Sequence, residues 1–158
     1  KQYLEMIRGL IRSYNFNCGL SRSFTSLAQV KQYTRQSEIA LFTGILLNEK
    51  SDKTFYFYRD ITIIAILDAI KDSLGNENAI HPTISLLEWV DATRQTDYLN
   101  TLKEYVFSSF DSAQTCQILN IHRNTLNYRL NKIEEMARID LHDFETRLHL
   151  AISFKLME

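Results

Sequence analysis

The chain has 158 residues, 45% hydrophobic and 23% charged, with formal net charge -1, which bounds it to one ordinary domain or two small ones with no whole-chain pull toward nucleic acid or anionic lipid. Its two cysteines, Cys18 and Cys116, are far apart and form no CxxC pair, which speaks against a disulfide framework or zinc site and fits a reducing compartment, the cytoplasm. The longest apolar runs, such as Ile61 to Leu67, are far too short to span a membrane, and there is no secretory signal.

Residues 1–15 place Tyr3, Leu4, Ile7, Leu10, Ile11 and Tyr14 at three- and four-residue spacing, an amphipathic helix. Asn15 to Ser21 alternates Phe16, Cys18 and Leu20 with polar or small neighbours, a short strand. A long helix follows, with Thr25 or Ser26 as cap and Leu27, Val30, Tyr33 (or Thr34), Ser37, Leu41 and Ile45 on its inner face. Thr54 to Asp60 is aromatic and β-prone, a second strand. "ITIIAILDAIKDSL" is a strongly apolar helix, and Gly75 to Pro82, with the only proline, marks the boundary between two domains, 1–80 and 81–158.

Beyond Pro82 only helices are expected. Their apolar residues are Ile84, Leu87, Trp89 and Val90, then Leu99, Leu102, Tyr105 and Val106 behind an Asp97 cap. Behind an Asp111/Ser112 cap come Ala113, Cys116, Ile118 and Leu119, followed by Leu126, Leu130, Ile133 and Ala137. Behind an Asp143 cap come Phe144, Leu148, Ala151, Ile152 and Leu156. Trp89 reads either as core of this helical domain or as a dimer contact. The fold class is thus α+β, predominantly α-helical: a partial α/β unit followed by an all-α domain.

Residues 1–80 hold ten basic and eight acidic side chains, residues 81–158 eight basic and eleven acidic. Yet His122 to Lys132, inside the acidic half, carries Arg123, Arg129 and Lys132 and no carboxylate. Two helices meet there at Asn120–Ile121 through a link of helix-turn-helix length. Cys116 fits the small residue needed mid-way along the first helix, Ile121 the apolar plug of the turn, and Leu126, Leu130 and Ile133 the buried stripe of the second helix. The opposite face carries Arg123, Asn124, Asn127, Tyr128, Asn131 and Lys132.

A recognition helix enters the major groove by its N-terminal turns. Arg and Asn there can bond base edges, so Arg123, Asn124 and Asn127 are the candidates for bases. Thr125, Tyr128, Arg129 and Lys132 are the candidates for the backbone. A carboxylate among them would repel phosphate, and Glu134 and Glu135 come only later in the helix. Arg129 lies beside buried Leu130, and its second possible role is to pair with Glu88, Asp91 or another acid of the same domain. His122, at the N-cap, either caps the helix and contacts phosphate or fills space. A polar helix face is more often merely solvated, and a protein-interaction or dimerisation module without direct DNA contact is the rival reading.

"LNIHRNTLNYRLNKIEEM" also resembles the C-terminal motif of PucR/CdaR-type transcriptional regulators, of the general form LxxHRNTLxYRLxxIEE, and the resemblance extends over residues 81–158. Residues 1–80 resemble, less specifically, the preceding domain of these regulators, a divergent relative of the GGDEF fold. The resemblance implies a bacterial DNA-binding regulator of small-molecule catabolism, with His122, Arg123, Asn124, Thr125, Tyr128 and Arg129 on its motif positions. It implies double-stranded DNA as partner and a small-molecule effector sensed in a region N-terminal to Lys1, of which this chain reads as a fragment. Cys116 stands where the family usually has Ala, and Asn127 where a basic residue is frequent.

Cyclic-dinucleotide synthesis would need adjacent glycines and paired carboxylates to hold metal and triphosphate. The chain has no Gly-Gly, and no acidic pair stands around Lys50 to Lys53, so no enzyme and no cofactor is expected. His81, His142 and His149 are scattered and without an i, i+4 His pair, so no metal is expected either. A homodimer on paired half-sites is the expected assembly.

Overall fold

The computed structural model describes residues 2–14, 16–47 and 54–158. The side chains of Tyr3, Leu4 and Leu10, as well as Asn15 and the turn around Lys50 to Lys53, lie outside the described residues. The chain divides into two compact units, residues 1–69 and 70–158.

The first unit contains α1 (Gln2–Ser13), β1 (Cys18–Leu20), a 3-10 turn (Leu27–Gln29), α2 (Val30–Leu47), β2 (Phe55–Phe57) and the start of α3 (Tyr58–Leu74). β1 and β2 pair in parallel, Cys18 with Phe55, Gly19 with Tyr56 and Leu20 with Phe57. Parallel neighbours need a crossover, and α2 provides it, packed against both strands.

That packing corrects the expected inner face of α2. Leu27 is 88% exposed, and Val30 and Ile45 are exposed as well. The buried residues are Ala40 and Gly44, with Tyr33, Ser37 and Leu41 half-buried beside them. The helix lies so close to the sheet that a Cβ on Gly44 would strike the Tyr56 ring, and one on Gly19 the Ser37 carbonyl. Small residues therefore face inward, and a count of large apolar ones rotates the helix away from its true seat. The second strand is likewise shorter than its aromatic run. Tyr58, Arg59 and Asp60 already belong to α3, whose first turn Asp60 favours through the helix dipole. Of the apolar run in α3, Ile61 and Leu67 are buried while Ile63 and Ile66 are exposed.

α3 runs across the division between the units, so the change of sequence character at Gly75 to Pro82 and the change of packing do not coincide. The stretch expected as a turn holds a short helix, α4 (Asn76–Ala79), after Gly75 at φ +74°.

The second unit continues with α5 (Pro82–Arg94), α6 (Tyr98–Phe107), α7 (Ser112–Leu119), α8 (Arg123–Ala137) and α9 (Phe144–Leu156). α6 is the hub, packed against each of the other four. The core joins Ile84, Leu87, Leu102, Leu126, Ile133 and Leu150, all essentially inaccessible, with Tyr105, Leu130, Leu141 and Phe154 around them. Burying a side chain of this size contributes about 1.5–3 kcal/mol each, so this layer dominates the stability of the unit.

Three expected faces depart from the structure at one or two residues each. Trp89 is 61% exposed, because the stripe Ile84, Leu87 and Val90 puts it about 200° from Leu87. Phe144 and Leu148 are exposed, because α9 buries Leu150, Ser153 and Phe154 alongside the expected Leu156. In α7 the inward row is Ser112, Thr115, Cys116 and Leu119, and Ala113 and Ile118 point out. Thr115 tolerates full burial because its hydroxyl donates to the Asp111 carbonyl at 2.7 Å.

Candidate nucleic-acid interface

α7 starts on Asp111, whose carboxylate accepts from the Gln114 amide at 2.9 Å. It ends on Asn120 in the left-handed conformation, φ 51°. The Ile121 amide then donates back to the Cys116 carbonyl at 3.1 Å, closing the helix in the manner of a Schellman turn. Ile121 is half-buried and packs on the core, as its reading as a turn plug requires. Cys116 is half-buried on the same core, while Thr115 is the residue of α7 that is fully buried. α8 follows at Arg123 after His122, which sits at the N-cap but makes no side-chain capping bond. His122 is exposed and lines, with Ser112, Ala113, Cys116, Ile121 and Arg123, a cleft between the starts of α7 and α8.

α8 buries Leu126, Leu130 and Ile133. This fixes what the rest of the helix presents, since residues three and four apart share a face. Asn124, Asn127, Tyr128 and Asn131 form one exposed row opposite the buried stripe, with Arg123 and Thr125 exposed at its flanks. Tyr128 is 58% exposed although its ring is large and apolar. Among the described residues, none of these six side chains makes a hydrogen bond within the protein, so their donors and acceptors are available to a partner.

The two other cations of α8 are engaged. The Arg129 guanidinium is turned to α6, donating through Nη1 to Asp97 Oδ2 at 3.1 Å and to Thr101 Oγ1 at 2.8 Å. Of the two roles open to it from sequence, the structure shows the pairing with an acid of the same domain. Lys132 donates to Glu135 at 2.6 Å, which raises the lysine pKa and lowers that of the glutamate through their hydrogen bond and opposite charges. Both groups lie in water, so exchanging this pair for another anion costs little. Glu134 is also occupied, accepting from the Leu141 amide at 2.8 Å. Both carboxylates of α8 are thus bonded within the protein.

Sequence reasoning brought Arg123, Asn124, Thr125, Asn127, Tyr128 and Lys132 to one helix, and the structure places them on its accessible side. The sequence offered Asp97 as the cap of α6 and Asp91 among the acids for Arg129; in the structure these roles are exchanged, Asp91 capping α6 while Asp97, with the unforeseen Thr101, takes Arg129. The available signal was a pair of acids, Asp91 and Asp97, around a single helix start. His81, His142 and His149 were read as scattered. His81 and His149 are in fact ring neighbours, 4.8 Å between centroids. Each has a structural partner, His81 the Thr83 amide and His149 the Ala79 carbonyl, and no metal-ligating cluster exists among the described residues. None of the described helices is long and apolar enough to cross a membrane.

The family model of the PucR C-terminal helix-turn-helix domain matches residues 98–156. The chain is 29% identical over 162 residues to the proline-responsive transcriptional activator PutR of Bacillus subtilis, covering 98% of this chain and 39% of that protein. It is 28% identical over 133 residues to the DNA-binding transcriptional activator AdeR of the same organism, covering 84% and 31%. To the carbohydrate diacid regulator of Escherichia coli it is 27% identical over 143 residues, covering 90% and 36%. The chain therefore spans about two fifths or less of the length of these relatives. No solved structure matches it. Residues 98–156 thus match the PucR C-terminal helix-turn-helix domain, and the chain as a whole is similar to transcriptional regulators of the PucR/CdaR type.

Proposed function

We propose that this chain reads specific sequences in double-stranded DNA by laying the first three turns of α8 in the major groove. Arg123, Asn124 and Asn127 bond base edges, while His122, Thr125, Tyr128 and Lys132 contact the backbone. The observation that carries this reading is the unpaired polar row of α8 opposite a fully seated apolar stripe. A helix of 15 residues, about 22 Å long, held by that stripe and presenting Asn, Tyr and Arg, is built for hydrogen-bond recognition. Among the described residues, Arg123 is the one cation of α8 without an ion-pair partner. The face thus reads more by hydrogen bonds than by bulk charge, consistent with a chain of net charge -1.

In this reading residues 81–158 are the DNA-binding domain, and residues 1–80 are part of a GGDEF-like α/β domain that acts as scaffold or dimer contact. The parallel β1–α2–β2 order supports the second assignment. The protein works in the cytoplasm as a homodimer on paired half-sites, and a small-molecule effector is sensed outside residues 1–158. PutR is named for its response to proline. By analogy the effector here is a small catabolite.

Selection of bound duplexes from random DNA, with the chain of residues 1–158, tests the reading. A recovered motif with a repeated half-site is expected. Recovery of unrelated sequences, with binding that is insensitive to salt between about 50 and 200 mM, would favour a protein-interaction module instead.

A further inference from the structure

Asp97 stands at the N-cap of α6, yet its carboxylate accepts from no backbone amide of that helix. Asp91, reaching across from α5, does the capping. Its Oδ1 accepts from the Tyr98 amide at 3.0 Å and the Thr96 hydroxyl at 2.6 Å, and its Oδ2 from the Leu99 amide at 2.8 Å. Asp97 is thereby free to face α8, where it takes the Arg129 guanidinium at 3.1 Å. The same guanidinium nitrogen also donates to Thr101, which is completely buried.

We infer that Arg129 is a positioning residue of the DNA-reading site: anchored to Asp97 and Thr101 at the start of α6, it sets the roll of α8 about its own axis, and hence which bases Asn124, Asn127 and Tyr128 face, without itself touching DNA. The inference rests on the proposed function. Leu126, Leu130 and Ile133 hold α8 by apolar contact, which has no direction of its own. A roll of about 20° carries a side-chain tip ~2 Å around a helix ~10–12 Å across, enough to make or lose a hydrogen bond. Two directional bonds at the edge of the buried stripe select one roll. A planar guanidinium, less of whose freedom is lost per bond formed, suits that task.

A phosphate contact by Arg129 fits the geometry less well. Its side chain is 25% exposed and that of Asp97 beside it 50%. Any phosphate drawn to the cation would therefore meet a second anion at the same place.

The test measures binding of the whole chain, and of Arg129→Met, Arg129→Lys, Asp97→Asn and the Arg129→Met/Asp97→Asn double variant. Each is titrated with the selected duplex and a scrambled one from 50 to 200 mM salt, with thermal melting as the folding control. Arg129→Lys keeps charge and most of the packing, and so remains informative if Arg129→Met fails to fold. The expected result is a loss of preference for the selected duplex of about tenfold in both Arg129→Met and Asp97→Asn, the scale of one mismatched base pair. The double variant falls no further, the salt slope stays that of the wild type, and Arg129→Lys loses less. If instead Arg129→Met weakens both duplexes alike and lowers the salt slope by about 1, while Asp97→Asn strengthens both, Arg129 is a phosphate contact and the inference is overturned. A wild-type chain with no preference for any duplex overturns the underlying reading as well, and that result is seen before any variant is compared.

Discussion

The Ile121 amide donates to the Cys116 carbonyl at 3.1 Å, and this bond between the two ends of one turn sets the path from α7 into α8. It is possible because Asn120 between them adopts φ 51°, ψ 46°, a conformation that Asn and Gly accept more readily than other residues. Asn120→Val should therefore destabilise the domain by about 1–2 kcal/mol, while Asn120→Gly should be close to neutral. Chemical denaturation of the two variants checks this. Equal stability of both would mean that the turn tolerates any residue.

The inner face of α8 should be far less tolerant than its outer face. Leu126 is completely inaccessible and belongs to the central core, so Leu126→Ala should cost about 2–5 kcal/mol. Asn124 is exposed, so Asn124→Ala should leave the unfolding midpoint within about 0.5 kcal/mol of wild type. The same Asn124→Ala change, or Arg123→Ala, should weaken DNA binding by about 1–3 kcal/mol and relax preference at one base position. A uniform loss across all sequences would instead mark that residue as a backbone contact.

Acid should loosen the start of α5. The Nδ1 of His81 accepts from the Thr83 amide at 3.2 Å, and its own amide donates to the Ser153 hydroxyl at 2.8 Å. Burial, and then the nearby His149, lower the His81 pKa. A histidine with a depressed folded-state pKa contributes stability that is fully present above its ordinary value of about 6.5 and is lost as pH falls through the folded value. The wild-type melting temperature should accordingly drop between pH 7 and 5 more than that of His81→Asn, which keeps an acceptor at the cap and does not titrate. Parallel profiles would show that His81 is not the group responsible.

Ser108 offers a stabilising change. Its hydroxyl is buried and has no hydrogen-bond partner among the described residues, and it is followed by Ser109 and Phe110, both at positive φ. Removing an unpaired buried hydroxyl relieves a desolvation cost, so Ser108→Ala should stabilise the domain by about 1 kcal/mol. A lower denaturation midpoint would show that the hydroxyl has a partner in solution.

The helix-turn-helix was legible because its constraints are local. A three-residue link, an apolar plug and a stripe at i, i+4 and i+7 fix α7 and α8 whatever surrounds them, and Ile121, Leu126, Leu130 and Ile133 lie where that pattern puts them. Faces set by tertiary neighbours were not legible. The inward turn of Thr115 depends on a hydroxyl bonded to its own helix, and that of Gly44 on a Tyr56 ring twelve residues away. Apolar periodicity sees neither, and so exchanged Ala113 and Ile118 for Ser112 and Thr115. Arg129 is the same case within the candidate site. Its position in the motif suited a phosphate contact, and only the placement of Asp97 and Thr101 shows what it bonds.

The central claim is that the outer face of α8 bonds base edges in the major groove. Replacing the purines of the selected duplex by their 7-deaza analogues removes the N7 acceptors on that side and leaves pairing and the minor groove unchanged. Binding should fall at the particular purines that Arg123, Asn124 or Asn127 face, and Ala variants of those residues should lose their sensitivity to the same purines. Full-affinity binding to a duplex lacking every N7 acceptor would contradict the account.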